Sequence, residues 1–223
     1  MYKKVRARIQ EEKPNGTLLR VLVPSRLNDV DLERFAKDGI IRGELRIDDG
    51  RTITSDQRKK AYATMADIAT HTGHMPEELK EIMKYWYISK TGAEYFSLSS
   101  CSVTTARLFI NYLIDFALEW HIPLLDSLVS RTDDISAAIY SSLMHKRCVI
   151  CGADGELHHT TAVGMGFDRE KIVHLGMSVM CLCRKHHTEC HTVGQERFNE
   201  RYMVYGIEAT EEICKVYKLK SRG

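Results

Sequence analysis

The 223-residue sequence predicts an α+β protein with two units of different character. Near the N-terminus, apolar segments on either side of a Pro-Asn-Gly turn are typical of a β-hairpin. Residues 55–121 then carry apolar side chains at helical spacing. Further on, five of the seven cysteines lie between residues 148 and 190, together with a dense group of histidines. The fold class is therefore a mixed N-terminal domain of a small hairpin unit and several helices, followed by a C-terminal domain rich in metal-type ligands.

The composition of the chain excludes several classes of protein. The chain is 43% hydrophobic and 28% charged, which is ordinary for a globular protein, and its net charge of +2 excludes binding of nucleic acid through overall charge alone. The start, MYKKVRARIQEEK, lacks the apolar centre of a signal peptide, and no run approaches about 18 apolar residues. An odd number of cysteines without an export signal favours reduced thiols. These features predict a cytoplasmic protein that does not contact a membrane.

The N-terminal elements follow from turn and cap chemistry. Segments 3–9 and 17–23 predict the two hairpin strands. A short helix is expected from Asn28 or Asp29 through Lys37, because Asn and Asp cap helix starts and a glycine follows the proposed end. The segment IIRGELRID then predicts a third strand.

Four helices are predicted beyond this unit. Ser55 can cap the first, and Pro76 suits the first turn of the second. The longest pattern covers 102–121 and is stopped by Pro123, and a further helix is expected at about 131–145. We therefore expect one domain over 1–130 and another over 140–223, joined by helical rather than flexible chain.

The cysteine-rich part predicts a structural zinc site. Cys148-x-x-Cys151 is followed by a turn-rich segment with two glycines, which has the form of a zinc knuckle. Cys183-x-x-His186 supplies the second pair of ligands. Cys181 and Cys214 are expected to be buried small apolar residues.

A second metal site is predicted beside the knuckle. His187 and His191 are four residues apart, so on a helix both imidazoles project from one face. With His158 they form a three-imidazole set that leaves positions open for water and a phosphate oxygen, as catalytic sites do. The alternative is a second structural zinc, closed by a fourth ligand such as Cys190.

Residues 145–206 resemble the HNH (ββα-metal) nucleases, especially those of phages of Gram-positive bacteria. The resemblance rests on Cys-x-x-Cys, the pair His158-His159 and the run LCRKHHTECH. It implies a ββα-metal fold with an added zinc knuckle, and hydrolysis of DNA phosphodiester bonds with Mg²⁺, Mn²⁺ or Zn²⁺ at the three histidines. It also implies that His159 is the general base, the alternative being a histidine that only orients a metal ligand.

The sequence departs from the HNH pattern at its central position. No Asn occurs between residues 160 and 198, where the family carries the residue that gives the pattern its middle letter. His174 or Ser178 lies in the corresponding region and is expected to take its structural role.

Basic residues mark the expected DNA contacts. Those in the C-terminal unit that could hold flanking phosphates are Arg169, Arg184 and Lys185. A second basic cluster in the N-terminal unit consists of Arg58, Lys59 and Lys60. Nearby, KYWYISK interleaves lysines with aromatic residues, which suits stacking on unpaired bases, although Tyr85 and Trp86 could equally be core residues.

The segments SDQRKKAYATMADIA and SSCSVTTARLFINYLIDFALEWHIPL, within residues 50–125, resemble the Orf (NinB) family of phage recombination proteins. This resemblance implies binding of single-stranded DNA. Together the two resemblances predict a metal-dependent DNA endonuclease of phage recombination or replication, active in the host cytoplasm on single-stranded or branched DNA. Phage or host recombination proteins and a second copy of the chain are further expected partners. The alternative is a non-catalytic, zinc-containing recombination mediator that binds single-stranded DNA.

Overall fold

We describe the protein from a computed structural model over residues 6–14, 16–22, 36–37, 40–41, 50–161 and 173–221. Within these ranges the chain forms eight helices and three small antiparallel sheets, so the predicted α+β class is confirmed. None of the helices in the described ranges has the length and apolar character needed to span a membrane.

The N-terminal hairpin is confirmed. Strand β1 (Arg6–Lys13) pairs antiparallel with β2 (Gly16–Leu22), and Lys13 lies opposite Gly16 at the turn. The register shifts between Ile9 and Glu11, as in a β-bulge. Residues 3–5 and 23 of the predicted strands lie outside the described residues.

The helix predicted to reach Lys37 is wrong at its end. Ala36–Lys37 form strand β3, which pairs antiparallel with β4 (Ile40–Ile41). Although Ala and Lys favour helices, the β-branched pair at 40 and 41 favours a strand and pairs with them across a short turn. Residues 28–35 of the predicted helix and 42–48 of the predicted third strand lie outside the described residues.

Three long helices form the first core. They are α1 (Ser55–Thr72), α2 (Pro76–Thr91) and α3 (Val103–Glu119). Ser55 is not the cap of α1: the Thr54 hydroxyl accepts from the Gln57 backbone N–H at 3.1 Å, and the Gln57 side chain accepts from Thr54 N–H in return. The residues buried between these helices are mostly aliphatic and aromatic, for example Ile68, Met83, Tyr87, Phe96, Phe109, Ile110, Leu113 and Ile114.

The helix predicted at about 131–145 is confirmed as α5 (Ile135–Met144), and a separate short helix, α4 (Leu128–Arg131), precedes it. Helix α5 begins later than predicted because Asp134 caps it, its carboxylate accepting from the Ala137 N–H at 3.1 Å. Helix α5 also packs on α3. There the Asp115 carboxylate accepts from the Ser141 hydroxyl at 2.8 Å and lies 2.9 Å from His145 Nε2.

The second core surrounds a three-stranded sheet. Strand β6 (Ser178–Leu182) lies between β5 (Glu156–His159) and β7 (Ile207–Glu208), and all pairs are antiparallel. Three helices come after β6 in the chain: α6 (Arg184–Val193), α7 (Gln195–Tyr202) and α8 (Glu211–Val216). Cys181 and Cys214 are buried in this core, as predicted.

Candidate metal centres

The first centre begins in a tight turn after α5. The Cys148 N–H donates to the Ala153 carbonyl at 2.7 Å, and the Gly152 N–H donates back to the Cys148 carbonyl at 2.8 Å. Gly152 has a φ of 68°, a left-handed conformation that favours glycine. The turn therefore presents Cys148 and Cys151 as a pair.

Gly155 allows this turn to lie against strand β6. A Cβ at this position would meet Cys181 Sγ at 2.7 Å and Cys148 N at 3.1 Å. Only a residue without a side chain permits so close an approach of two backbones. The contact brings the turn next to Cys183, which precedes α6 directly.

The four predicted knuckle residues converge. The Sγ atoms of Cys151 and Cys183 lie 3.7 Å apart, and His186 Nδ1 lies 3.2 Å from Cys183 Sγ and 3.4 Å from Cys148 Sγ. A tetrahedral zinc ion sets about 3.8 Å between two sulfur ligands and about 3.6 Å between a sulfur and a nitrogen ligand. The donor types and their spacing therefore fit zinc, and this set could hold one.

The thiols of this centre have unlike surroundings. Burial raises the pKa of Cys148 to about 12, against the effect of neighbouring backbone N–H groups. Burial also opposes ionisation of Cys183, yet hydrogen bonds led by the His186 backbone N–H hold the pKa of Cys183 below its usual range. Because cysteine binds zinc as the thiolate, a zinc ion at this centre would displace the protons of the three thiols.

The second centre contains three imidazoles. His158 on β5 faces α6, and its ring centroid lies 4.7 Å from that of His187 and 5.3 Å from that of His191. The Nε2 atoms of His187 and His191 lie 3.1 Å apart. The three residues offer ligand nitrogens within 4.8 Å of one another and could hold a metal ion. His158 is buried, His187 is half-buried and His191 is exposed, so one side of the set faces solvent.

Two further side chains contact these histidines, and the sequence reasoning missed both. Glu156 Oε1 lies 2.6 Å from His187 Nδ1, and Gln195 Oε1 lies 2.8 Å from His158 Nε2. A signal was present for Glu156, which is two residues before His158 and hence on the same face of β5. Gln195 begins the next helix after His191, so no spacing within one element pointed to it.

His159 faces the opposite side of β5 from His158, as adjacent strand residues do. Its Nε2 lies 3.0 Å from Nδ1 of His174. Burial, followed by the neighbouring His174 and His158, lowers the pKa of His159, so its imidazole is neutral at pH 7. Of the two residues expected in place of the missing Asn, His174 makes this contact, whereas the Ser178 hydroxyl accepts from Thr160 at 2.6 Å.

The predicted C-terminal phosphate contacts are placed as follows. The Arg184 side chain is 90% exposed and lies 3.7 Å from Glu156, beside the second centre. Lys185 is exposed one residue further along α6. Arg169 lies outside the described residues.

The predicted basic cluster of α1 is mostly engaged within the protein. Arg58 donates to the backbone carbonyls of Leu98 and Ser99 at 2.9 and 3.1 Å. Lys60 forms ion pairs with Asp133 at 2.6 Å and with Asp56 at 2.9 Å. Lys59 is exposed.

An aromatic groove of about 450 Å³ lies between α2 and α3. Trp86 and Trp120, the two tryptophans of the chain, are 45% and 63% exposed, and both rings contact Phe116. The alternative that Tyr85 and Trp86 are core residues is therefore wrong. Lys84 is the buried one, and its ammonium donates to the Tyr95 hydroxyl at 2.9 Å. The full lining of the groove is Trp86, Ser89, Lys90, Tyr112, Phe116, Glu119 and Trp120.

The fold and the two donor sets define a mixed α+β protein with two Cys/His centres of the metal-binding type. A family model described as "Putative HNHc nuclease" matches residues 28–220, and the chain belongs to this family. The match spans both cores, so the helical unit is part of the family's architecture together with the histidine-rich unit. The chain has no significant match among curated proteins or among solved structures.

Proposed function

We propose that the protein is a metal-dependent endonuclease that hydrolyses DNA phosphodiester bonds at the three-histidine centre. The observation that carries the proposal is the open set of His158, His187 and His191 directly beside a neutral, partly exposed His159, in a chain of an HNH nuclease family. A binding set of three side chains with one side towards solvent leaves room for water and a phosphate oxygen.

Each residue of the centre has a separate role in the proposed hydrolysis. A divalent ion held by the three imidazoles, Mg²⁺, Mn²⁺ or Zn²⁺, would supply polarisation of the phosphate and stabilisation of charge on the leaving oxygen. His159 takes a proton from water, whose oxygen forms the new bond to phosphorus. The bond from phosphorus to the 3′ oxygen breaks, and this oxygen takes a proton from solvent water, leaving a 3′ hydroxyl and a 5′ phosphate. Arg184 and Lys185, both exposed on α6, hold neighbouring phosphates.

The knuckle residues Cys148, Cys151, Cys183 and His186, here called the Cys₃His centre, have a different role in this proposal. Its four donors leave no open position on a tetrahedral ion, which is typical of structural zinc. It joins the turn after α5 to the start of α6. We infer that zinc at this centre fixes the helix that carries His187 and His191.

Cys190 supports an open rather than closed second centre. Its thiol is engaged with another acceptor, because it donates to Gln195 Oε1 at 3.4 Å. Cys190 Sγ also lies 3.6 Å from His158 Nε2, but it is not in the set of described ligand atoms that lie within 4.8 Å of one another.

The direct test is incubation of the purified protein with labelled single-stranded, duplex and branched DNA, under Mg²⁺, Mn²⁺, Zn²⁺ and with a chelator. We expect cleavage of at least one form with a divalent ion and none with the chelator. His187→Ala should abolish cleavage. His74→Ala, a histidine to alanine change in the first core's loop, should leave it unchanged. Absence of cleavage of every DNA form with every ion would refute the proposal.

A second candidate function is binding of single-stranded DNA by the helical unit, within a domain that we place at 1–130. The aromatic groove favours it, because exposed tryptophan rings stack on unpaired bases, with about 1–3 kcal/mol for each stacked base. Lys90, 60% exposed, lies at the groove and can contact a phosphate. Alone, this function would make the protein a non-catalytic zinc-containing recombination mediator.

The two tryptophans make this candidate directly measurable. Titration of the zinc-loaded full chain with an oligothymidylate, with no further divalent ion added so that cleavage is avoided, should quench tryptophan fluorescence if bases stack in the groove. Trp120→Leu should weaken binding at constant salt, and duplex DNA should quench less. Equal fluorescence with and without the oligonucleotide would remove the groove from the DNA-binding surface. The resemblances to phage proteins support a place in phage recombination or replication, with recombination proteins or a second copy as partners.

A further inference from the structure

The side chain of Gln195 forms the closest contact to the buried histidine of the three-histidine centre. Its Oε1 lies 2.8 Å from His158 Nε2. A carbonyl oxygen can only accept, so the hydrogen of this bond belongs to the imidazole. With the amide in this orientation, His158 carries its N–H at Nε2.

The orientation of the Gln195 amide is set by two other groups. Its Nε2 donates to Asn199 Oδ1 at 2.7 Å, and the Cys190 thiol donates to its Oε1 at 3.4 Å. With the Asn199 amide as placed, a Gln195 amide turned by 180° would lose the acceptor for its own N–H₂ group. The network therefore favours the oxygen, rather than the nitrogen, at His158.

Local backbone geometry holds Gln195 in place. Gly194 joins α6 to α7 with a φ of 88°, which favours glycine, and the chain turns there so that α7 begins at Gln195. The Phe198 N–H donates to the Gly194 carbonyl at 3.0 Å, and the Phe198 ring is fully buried. Gln195 is thus anchored to the second core rather than to the helix that carries His187 and His191.

We propose that Gln195 is a positioning residue of the three-histidine centre, which selects the nitrogen that His158 offers to a metal ion. With the hydrogen held at Nε2 by Gln195, the lone pair of the imidazole lies at Nδ1. The inference rests on the proposed function of this centre as the metal site. It adds a specific role for a residue of α7, which carries none of the three histidines.

His187 provides an internal comparison. The Nδ1 atom of His187 lies 2.6 Å from a Glu156 carboxylate oxygen. An ionised carboxylate has no hydrogen to donate, so Nδ1 carries the hydrogen and the lone pair of His187 lies at Nε2. The two histidines therefore receive acceptors on opposite ring nitrogens, a neutral amide for His158 and a carboxylate for His187. Such acceptors on metal-ligating histidines typically change metal affinity by about 10- to 100-fold when removed.

The first test is binding of Mn²⁺ to the full chain with its knuckle loaded with zinc, followed by water-proton relaxation. Gln195→Met keeps the approximate size of the side chain but removes the acceptor, and it should weaken Mn²⁺ binding about 10- to 100-fold. Gln195→Glu retains an acceptor oxygen and should retain binding. Glu196→Ala changes an exposed neighbour on the same helix and should have no effect. Wild-type affinity in Gln195→Met would overturn the inference.

The second test reads the tautomer directly. Long-range ¹H–¹⁵N NMR of the zinc-loaded chain without Mn²⁺ should show His158 with its hydrogen at Nε2, and Gln195→Met should populate the Nδ1–H form. Asn199→Asp keeps the acceptor for the Gln195 amide and should behave as wild type, whereas Asn199→Leu should not. A hydrogen at Nδ1 of His158 in the wild type would contradict the assignment.

These tests separate the inference from the proposed function. If the wild type binds Mn²⁺ and cleaves DNA but Gln195→Met is unchanged in affinity and tautomer, only the role of Gln195 fails. If the wild type binds no Mn²⁺, the metal centre itself fails, and the NMR comparison still decides whether Gln195 sets the His158 tautomer.

Discussion

The two cores of the chain are built from different materials. The first packs three helices of 16 to 18 residues around aliphatic and aromatic side chains, with several rings in edge contact around Tyr87 and Phe109. The second has a three-stranded sheet and short helices, and it includes Cys148 and Cys183 of the knuckle among its buried residues. Because short elements bury little apolar area, we expect the second core to depend on a bound metal where the first does not.

The comparison also places the metal-type ligands for stability and for the proposed catalysis in the same core. In the described residues, both sets of possible metal ligands lie in the second core, and they share α6. Adjacent residues on a helix point about 100° apart, so His186 can face the Cys₃His centre while His187 faces the three-histidine centre. A metal that stabilises the fold thereby also orients the ligands of the proposed catalytic centre.

The largest effect is expected from Cys148→Ser. Structural zinc sites in small domains contribute about 10–16 kcal/mol of binding free energy, which is comparable with the whole stability of a domain, about 5–15 kcal/mol. The second core should therefore unfold or melt far below the first, with loss of the knuckle zinc. Zinc analysis together with calorimetry of the variant measures both.

Cys101→Ser is the matched control, because it makes the same change in the first core, where Cys101 is 8% exposed. It should retain all bound zinc and alter only the transition of the first core. A Cys148→Ser variant with full zinc content and unchanged melting would contradict the dependence of the second core on metal.

The second effect in size concerns catalysis within the second core. His159→Ala should lower the cleavage rate about 10²- to 10⁴-fold, the usual contribution of a positioned base. Metal content, melting and DNA affinity should stay near wild type, because His159 is not in either ligand set of the described residues. Single-turnover cleavage with metal analysis is the measurement, and a wild-type rate would remove His159 from the chemistry.

Sequence reasoning succeeded where local chemistry decides structure. Residue spacing predicted which side chains would lie together in each set, as His187 and His191 do because they share a helical face whatever the rest of the fold does. Metal binding by either set stays a prediction. Pro76 gave the start of α2 correctly for the same reason. The helix predicted through Lys37 failed because the capping argument did not consider the local pairing of residues 36–37 with 40–41.

The partners of the site were harder to predict. The contacts of Gln195 with His158 and of His174 with His159 join residues 37 and 15 positions apart. No periodicity within one element encodes them, since each depends on how separate elements pack. Similarly, Lys84 is buried and Trp86 exposed, the reverse of what their polarity predicts. The Lys84 ammonium is satisfied by the Tyr95 hydroxyl at 2.9 Å and by the Glu81 carboxylate at 3.4 Å, partners that depend on how the side chains pack.

A smaller effect is expected at the contact between the cores. Although burial opposes ionisation of Asp115, hydrogen bonds from His145 and Ser141 hold the pKa of this carboxyl below its ordinary value. A lowered folded pKa adds stability above the unfolded pKa, and this stability is lost as pH falls through the folded pKa. The contribution should be about 1 kcal/mol or less, since the group is partly exposed.

Asp115→Asn should therefore lower stability at neutral pH and flatten its decline below about pH 4. Chemical denaturation between pH 3 and pH 7 measures this. Glu200→Gln, a change of an exposed carboxyl on α7, is the control and should follow the wild type. If Asp115→Asn declined as steeply as the wild type in acid, the contact between α3 and α5 would not be the acid-sensitive one.

The smallest effect is expected for the lysine pair of the first core, and it distinguishes a DNA contact from a structural one. Burial alone would lower the pKa of Lys60, but its hydrogen bonds to Asp133 and Asp56 raise it, so its charge is already paired. Lys59 is exposed.

In titrations with single-stranded DNA at several salt concentrations, Lys59→Ala should reduce the salt slope by about one unit. Lys60→Ala should leave the slope unchanged and cost about 1 kcal/mol of stability or less, because its partners are partly exposed. Equal slopes for Lys59→Ala and the wild type would exclude a phosphate contact at Lys59.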